Sequence, residues 1–146
     1  MGWLSVMIDT TSWTAQQHSV AKQELELYKS QLRPLIRDAD IYHISERPDG
    51  IHWDGLEYFD PHTRRGVVYA FRGSTANESD HTFTLRGLNQ GLRYRLRFHD
   101  HSALDRIVKG GRLMDVGLNI HLPLANSSEI VLIEELHAET HSASEP

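Results

Sequence analysis

The spacing of apolar residues changes along the chain at about residue 39. Between residues 20 and 36, apolar positions recur every three or four residues, which predicts an amphipathic helix. Thr14, followed three residues later by Gln17, forms a capping-box pattern, so we expect the helix to begin there. Pro34 lacks an N–H and predicts a break or kink near Arg33, with an end by Asp38. The predicted apolar stripe is Ala21, Leu25, Tyr28, Leu32 and Leu35, with Val20 and Ile36 beside it.

From residue 40 onward, short alternating runs are separated by turn residues, a pattern typical of an antiparallel sandwich or barrel. Gly55 interrupts the second run and predicts a bulge. A further short strand is expected at Ile107-Val108 or at Leu113-Met114. Because no run precedes a helix long enough for a parallel crossover, a parallel sheet is not expected. Strands are predicted over residues 41–45, 51–59, 66–72, 81–86, 92–99, 118–122 and 130–136.

The predicted fold is therefore mainly β: an antiparallel Greek-key-type β-sandwich preceded by one strand-like segment and one long amphipathic helix. Three parts follow: residues 1–38, a sandwich over residues 39–136, and a disordered polar tail over residues 137–146. The apolar run from Trp3 to Ile8 looks incomplete, because one helix cannot cover both faces of the strand that it suggests. Another surface should cover this run.

Composition narrows the class of protein. Of 146 residues, 39% are hydrophobic and 24% charged, which supports a folded core. The formal charge of −5 argues against nucleic acid as a partner, and no run approaches the roughly 20 apolar residues that span a membrane. The chain has no cysteine, and its first residues lack a cationic leader region, so we predict a cytoplasmic location.

Few residues indicate catalysis. Most aspartates lie in predicted turns, where they bind backbone N–H groups. Asp9 is different, because it follows a buried-looking strand and precedes a helix, where barrel enzymes place functional side chains; capping of local N–H groups is the alternative. His99 and His101 could ligate zinc or copper, yet Asp100 between them looks like a turn, and exposed histidines are the favoured interpretation. No phosphate-binding or nucleophile motif is present, so no metal or cofactor is predicted.

Two patterns suggest binding. Residues 92–99 alternate strictly, so Arg93, Arg95 and Arg97 share one face of a strand; we expect a solvated face paired with Glu134 and Glu135 rather than an anion site. Sugars stack on exposed aromatic rings. Tyr69 and Phe71 alternate like core residues, whereas Trp53 beside Gly55 is the candidate sugar platform, with core packing as the favoured alternative.

Several segments resemble one family. Together they are similar to the end of the catalytic barrel and the C-terminal domain of glycoside hydrolase family 36 α-galactosidases, in which an M-x-D segment precedes a helix carrying YK followed by R-x-L-I. The chain departs from that pattern at His43 and over residues 47–55, around Trp53. The matching segments are residues 7–14, 28–36, 40–44, 67–72, 112–118 and 127–130.

The resemblance implies that residues 1–38 are the last strand and helix of a (β/α)8 barrel, and that the family's catalytic aspartates lie on earlier strands, outside this chain. We therefore expect a non-catalytic portion of a carbohydrate-metabolising hydrolase, with a catalytic barrel, in cis or in trans, as partner. Tyr28, Leu32, Leu35 and Ile36 would form the seam between helix and sandwich. Asp9 matches the M-x-D aspartate at the sugar-binding rim, without a catalytic role.

Two alternatives use other features of the sequence. One is a free-standing carbohydrate-binding module that takes galactosides at Trp53. The other is an interaction protein that forms a homo-oligomer, or docks on a separate partner, through the run from Trp3 to Ile8.

Overall fold

The computed structural model describes residues 9–136. A helical segment leads into eight strands, which confirms the mainly β class with a 24-residue helical segment in front. The helices are α1 (Ala15–Leu27), a π-helical turn (Tyr28–Leu32), α2 (Arg33–Asp38) and α3 (Gly110–Asp115). The strands are β1 (Asp40–His43), β2 (Trp53–Asp60), β3 (Arg65–Arg72), β4 (Asp80–Phe83), β5 (Arg93–Phe98), β6 (Arg106–Lys109), β7 (Leu118–His121) and β8 (Ser127–Glu135). The strand-like segment and the polar tail predicted at the two ends lie outside the described residues.

All strand pairs are antiparallel. Six strands form one sheet in the order β1-β2-β3-β8-β5-β6, and β4 pairs with β7 in a second, two-stranded sheet. Strand β8 lies between β3 and β5, so the last strand of the described residues occupies the middle of the large sheet. The short strand predicted at Ile107-Val108 is present as β6, whereas Leu113-Met114 is helical and belongs to α3.

The helix begins as predicted. Thr14 Oγ1 accepts from the Gln17 N–H (3.2 Å), and the Gln17 side chain accepts from the Thr14 N–H (2.8 Å). The expected break takes the form of the π turn, in which the Arg33 N–H donates to the Tyr28 carbonyl, five residues back. This wider turn lies immediately before Pro34, where a regular α-helix would need an N–H that proline lacks. The π turn therefore accommodates the proline within a continuous helical segment.

One face of the large sheet is covered by this helical segment. The predicted seam is confirmed, since Leu32 and Leu35 are buried there and Tyr28 and Ile36 pack partly against them. The predicted stripe was wrong at one point: Leu27 rather than Leu25 is buried, because the π turn brings positions five residues apart, Leu27 and Leu32, onto the same face. The helix-face cluster consists of Leu27, Leu32, Leu35, Tyr58, Val67, Tyr69 and Leu132.

The other face of the large sheet forms the main core, against the small sheet and α3. Phe83 of β4 and Ile120 of β7 are fully buried there, together with Tyr94 and Leu96 of β5. Both faces of the central strands are thus covered, which explains the nearly continuous burial of residues 66–70. Phe71 corrects the prediction of a core residue: it is 36% exposed and is not part of either described cluster.

Gly55 does not form the predicted bulge. The register of β2 with β3 runs unbroken through the Gly55–Ala70 pair. Instead, the ring of Phe83 lies so close that a Cβ at position 55 would be 2.5 Å from Phe83 Cε1. Glycine is needed here because the small sheet packs directly against the backbone of β2.

Candidate functional site

A groove of about 730 Å³ opens beside the start of β2. Its walls are the loop between β1 and β2, the loop between β3 and β4, and His81 of β4. The side chains along it include both carboxylates and cations, for example Glu46, Glu78, Arg47 and Arg86. This groove offers hydrogen-bonding groups of both kinds around one aromatic ring, that of Trp53.

Trp53 is partly buried at the groove wall and packs against the main core. Its indole N–H donates to the Glu78 carbonyl (3.1 Å), its ring stacks on the His81 ring with centroids 5.4 Å apart, and it meets Phe83 edge-on. Burial lowers the pKa of His81, which keeps this stacked ring neutral at physiological pH. Trp53 is thus held in a fixed orientation, with one ring face covered by His81.

The loop between β1 and β2 is ordered by Asp49. Its carboxylate accepts from the backbone N–H groups of Ile51 (2.8 Å) and His52 (2.9 Å) and contacts His52 Nδ1 at 2.6 Å. These hydrogen bonds hold the pKa of Asp49 well below its usual range. Gly50, within this turn, has φ +73°, a conformation that few other residues adopt without strain. Asp49 therefore shapes the groove rim and stays ionised.

Among residues 9–136, three carboxylates are buried, and none of them was expected from the sequence. The Glu129 carboxylate accepts from the N–H groups of Asp100 (2.8 Å), Ile130 (2.9 Å) and Ser102 (2.9 Å). Asp60 accepts from the His62 N–H and the Thr63 hydroxyl, which lowers its pKa. Asp60 thus stabilises the turn between β2 and β3, and Glu129 the turn between β5 and β6.

Glu57 is the third and the most unusual of these carboxylates. It is fully buried; Oε2 accepts from the Arg86 N–H (2.6 Å), and Oε1 has no partner among the described residues. Burial raises the pKa of Glu57 to about 8. Position 57 is in phase with the buried positions 55 and 59, so strand alternation could have identified a carboxylate on the core side.

Asp9 is exposed and does not line the groove that contains Trp53. Its Oδ1 accepts from the Thr11 N–H (2.9 Å) and the Thr11 hydroxyl (2.7 Å), and these bonds lower its pKa. This is the local capping arrangement that was the alternative to a functional role. The two candidate binding residues, Asp9 and Trp53, are not brought together in one site.

The histidine pair does not form a metal site. His99 contacts the Glu24 carboxylate at 3.1 Å, while His101 has φ +57° in the following turn. Over residues 9–136, no group of three or more His, Asp or Glu side chains is arranged to hold a metal ion.

The arginine row lies as predicted on the outer face of β5, with Tyr94, Leu96 and Phe98 buried on the other. Arg95 is paired across the sheet with Glu134, at 3.9 Å, whereas the Glu135 carboxylate contacts Arg64 instead, at 3.2 Å. In the described part of the chain, no helix is long and apolar enough to span a membrane.

Comparison with known proteins assigns the chain to a family. No curated protein matches it. Residues 53–133 match the glycosyl hydrolase family 36 C-terminal domain. The matched segment begins at Trp53, the first residue of β2, and ends within β8, so it contains Trp53, strands β2 to β7, most of β8 and the arginine row. Since the match covers more than half of the 146 residues, the chain belongs to the glycosyl hydrolase family 36 C-terminal domain family.

Proposed function

We propose that this chain acts as the non-catalytic C-terminal sandwich of an α-galactosidase-like glycoside hydrolase and stabilises its catalytic barrel. Membership of the family associates the domain with a glycoside hydrolase and with a catalytic domain of the same protein. The observation that carries the proposal further is the helical segment, which is fixed to the sandwich on one side and open on the other.

The attachment of this segment is uneven along its length. Its C-terminal half is fastened to the sheet through Leu27, Leu32 and Leu35. Its N-terminal half leaves Val20 49% exposed, beside a shallow groove lined by Trp13 and Ala21. Apolar side chains in such a position favour a second surface that covers them. A barrel to which this helix also belongs would provide that surface.

The buried carboxylates support a non-catalytic role. A retaining glycosidase uses two carboxyl groups about 5 Å apart that both reach the substrate. Glu57 and Glu129 are shielded from solvent, and Glu129 is fully engaged with backbone N–H groups. Their burial and bonding fit structural carboxyl groups.

The first experiment is to sequence the coding DNA upstream of Met1. An open reading frame that encodes a barrel with two carboxylates on its strands supports the proposal. A stop codon directly before Met1 contradicts the arrangement in cis and leaves a barrel in trans to be sought by co-purification.

The second experiment uses the hydrolase found in this way. Val20→Asp should lower the melting temperature of the whole hydrolase, while circular dichroism of the 146-residue chain alone stays unchanged. Ser19→Asp introduces the same charge one position away and is the matched control. Ser19 lies on a different side of the helix, in a groove that also contains His99. Equal melting temperatures for Val20→Asp and the parent would contradict docking through this helix.

A second candidate function is favoured by the position of Trp53. Its ring lines the polar groove, and the face opposite His81 is the one that a galactoside could stack on. The chain contains three tryptophans, so in a variant with Trp3→Phe and Trp13→Phe the tryptophan fluorescence comes from Trp53 alone. Galactoside titration should then change its fluorescence, with glucose as the comparison sugar. An unchanged signal at high millimolar sugar would exclude this function.

A further inference from the structure

A band of cationic side chains lies on the large sheet beside the helical segment. The strand registers pair Arg65 with Glu134, Glu134 with Arg95, and Arg95 with Ile107, which makes one row across β3, β8, β5 and β6. In the neighbouring rows, Arg93 lies opposite Lys109, and Arg97 lies opposite Leu132. We call this surface the basic shelf; it comprises Arg65, Arg93, Arg95, Arg97, Ile107, Lys109 and Glu134.

The basic shelf stands out from the rest of the chain in charge. It combines five cations with one carboxylate, on a protein whose formal charge is −5. Four of the five cations are exposed, and the fifth, Arg97, is half-buried. The shelf therefore carries a formal charge of +4, while the rest of the chain carries −9.

The positive charge of the shelf is weakly neutralised. Glu134 is 3.9 Å from Arg95, with both side chains about half exposed, and such pairs contribute little. Arg97 and Arg65 donate to the same uncharged acceptor, Gln31 Oε1, at 2.9 and 3.5 Å. The next carboxylate along the row, Asp60 of β2, is already engaged in its turn with His62 and Thr63. An external anion would therefore meet guanidinium groups with unused donors.

The spacing of the shelf suits a repeating anion. Side chains two residues apart on a strand lie about 7 Å apart, and those on neighbouring strands about 5 Å apart. Arg93, Arg95 and Arg97 thus occupy three alternate positions on the same face of β5. Guanidinium groups bind carboxylate and sulfate oxygens in pairs, which favours a polymer with an anionic group on successive units.

Other polymers fit the shelf less well. Nucleic acid binding uses an overall basic surface and aromatic rings on which bases stack, but this chain is acidic, and no Tyr, Phe or Trp of residues 9–136 is assigned to the shelf by the strand registers. A stable protein interface has an apolar centre, and Ile107 is the one apolar member of the shelf. Ionic recognition of a sugar polymer requires neither feature.

We propose that the basic shelf binds an anionic polysaccharide, with Arg93, Arg95 and Arg97 contacting successive carboxylate or sulfate groups. This goes beyond the proposed function, because it does not depend on a catalytic barrel. The shelf would hold a charged glycan against the domain, independently of any neutral galactoside near Trp53.

The test is calorimetric titration of the full 146-residue chain with polygalacturonate and with dextran sulfate. Fully methyl-esterified polygalacturonate has the same backbone without charge and is the matched ligand control. We expect binding of at least one anionic polymer, no binding of the ester, and loss of affinity on addition of salt. Preference for polygalacturonate would identify a carboxylate ligand, and preference for dextran sulfate a sulfate ligand.

The variant Arg93→Gln/Arg95→Gln removes two exposed cations and should weaken binding about tenfold, or about 1.4 kcal/mol, because exposed ionic contacts are individually weak. Arg33→Gln/Arg112→Gln removes the same charge from exposed positions outside the shelf and should bind like the parent. Three results would each overturn the proposal: no binding of either anionic polymer, equal weakening by both double variants, or equally tight binding of polyadenylate. The last result would indicate a general polyanion surface. Circular dichroism of both variants checks that they fold.

Discussion

Glu57 makes the stability of this domain depend on pH in a direction opposite to that of most carboxylates. Its pKa is raised to about 8 in the folded chain, from an ordinary value of 4.5, because its carboxyl group is buried with a single N–H donor. Between these two values, the unfolded chain has an ionised Glu57, whereas the folded chain retains the proton. Folding therefore takes up one proton, and the contribution of Glu57, fully present below pH 4.5, is lost as pH rises through 8.

The size of this effect follows from linkage. One proton taken up on folding changes the free energy of unfolding by about 1.4 kcal/mol per pH unit. Over the window from pH 4.5 to 8, this amounts to a loss on the order of a few kcal/mol. Such a loss is a large share of the roughly 5–15 kcal/mol that is typical of a domain, and nearly all of it at the lower end.

Glu57→Gln is the perturbation that isolates this group. Glutamine is neutral at every pH and can still accept the Arg86 N–H, while its amide nitrogen takes the place of the unpartnered Oε1. Urea unfolding is followed by far-ultraviolet circular dichroism at pH 5, 6, 7 and 8. The free energy of unfolding of the variant should rise relative to that of the parent as pH rises, because only the parent loses the contribution of Glu57. Glu46→Gln, an exposed glutamate of the nearby loop, should show no such trend. Parallel curves for the parent and Glu57→Gln would refute the reasoning.

Three further substitutions test the packing and the buried bonds. Leu32→Ala should destabilise the chain by about 2–5 kcal/mol, because it leaves a cavity under the helix. Thermal melts measure this loss, with the exposed Lys29→Ala as control. A melt like the parent's would contradict the burial of Leu32 between helix and sheet. Gly55→Ala should cost about 1–3 kcal/mol, because its methyl group overlaps Phe83, and Gly55→Ala/Phe83→Leu should recover part of that loss; the absence of recovery would show that backbone strain dominates. Glu129→Ala leaves buried N–H groups unpaired and should cost more than 2 kcal/mol in urea unfolding, whereas an unchanged midpoint would mean that water replaces the carboxylate.

The sequence was most informative where one local rule determined the structure. Thr14 and Gln17 identified the start of the helix because a capping box involves only neighbouring residues. The strands were found from alternation and turn residues, and the outward arginines followed from the same period. The seam residues Leu32 and Leu35 were found because an amphipathic helix has one face to bury.

Local rules failed where the outcome depended on a distant partner. Gly55 was recognised as special, but only the packing of Phe83 explains why it is glycine. The burial of Leu27 instead of Leu25 results from the π turn, which periodicity at 3.6 residues does not anticipate. For the groove, the sequence identified Trp53 as a candidate, but its contacts with Glu78 and His81 come from a loop and strand about 25 residues away.

The burial of two glutamates could have been predicted from the alternation of their strands. Glu57 is in phase with Gly55 and Phe59, and Glu129 is in phase with Val131 and Ile133, all of which are buried. A carboxylate at a strand position that alternation directs into the core indicates one of two things: the strand ends there, or the carboxyl group is held by hydrogen-bond donors. Which of these applies depends on the N–H groups of Arg86, Asp100 and Ser102, which come from other loops.

The π turn at Tyr28–Leu32 also sets the direction in which the free half of the helix faces. Relative to a regular α-helix it holds one extra residue, and each residue turns a helix by about 100°. With Leu32 and Leu35 fastened to the sheet, that extra residue determines where Trp13 and Val20 lie around the helix axis. Deleting one residue within the turn would leave Leu32 and Leu35 on the sheet, yet rotate everything before the turn, Leu27 and the apolar side chains of the free half, by more than a quarter of a circle. A single insertion or deletion here would thus redirect the surface that this domain offers to a neighbour, with no change in the residues that form it.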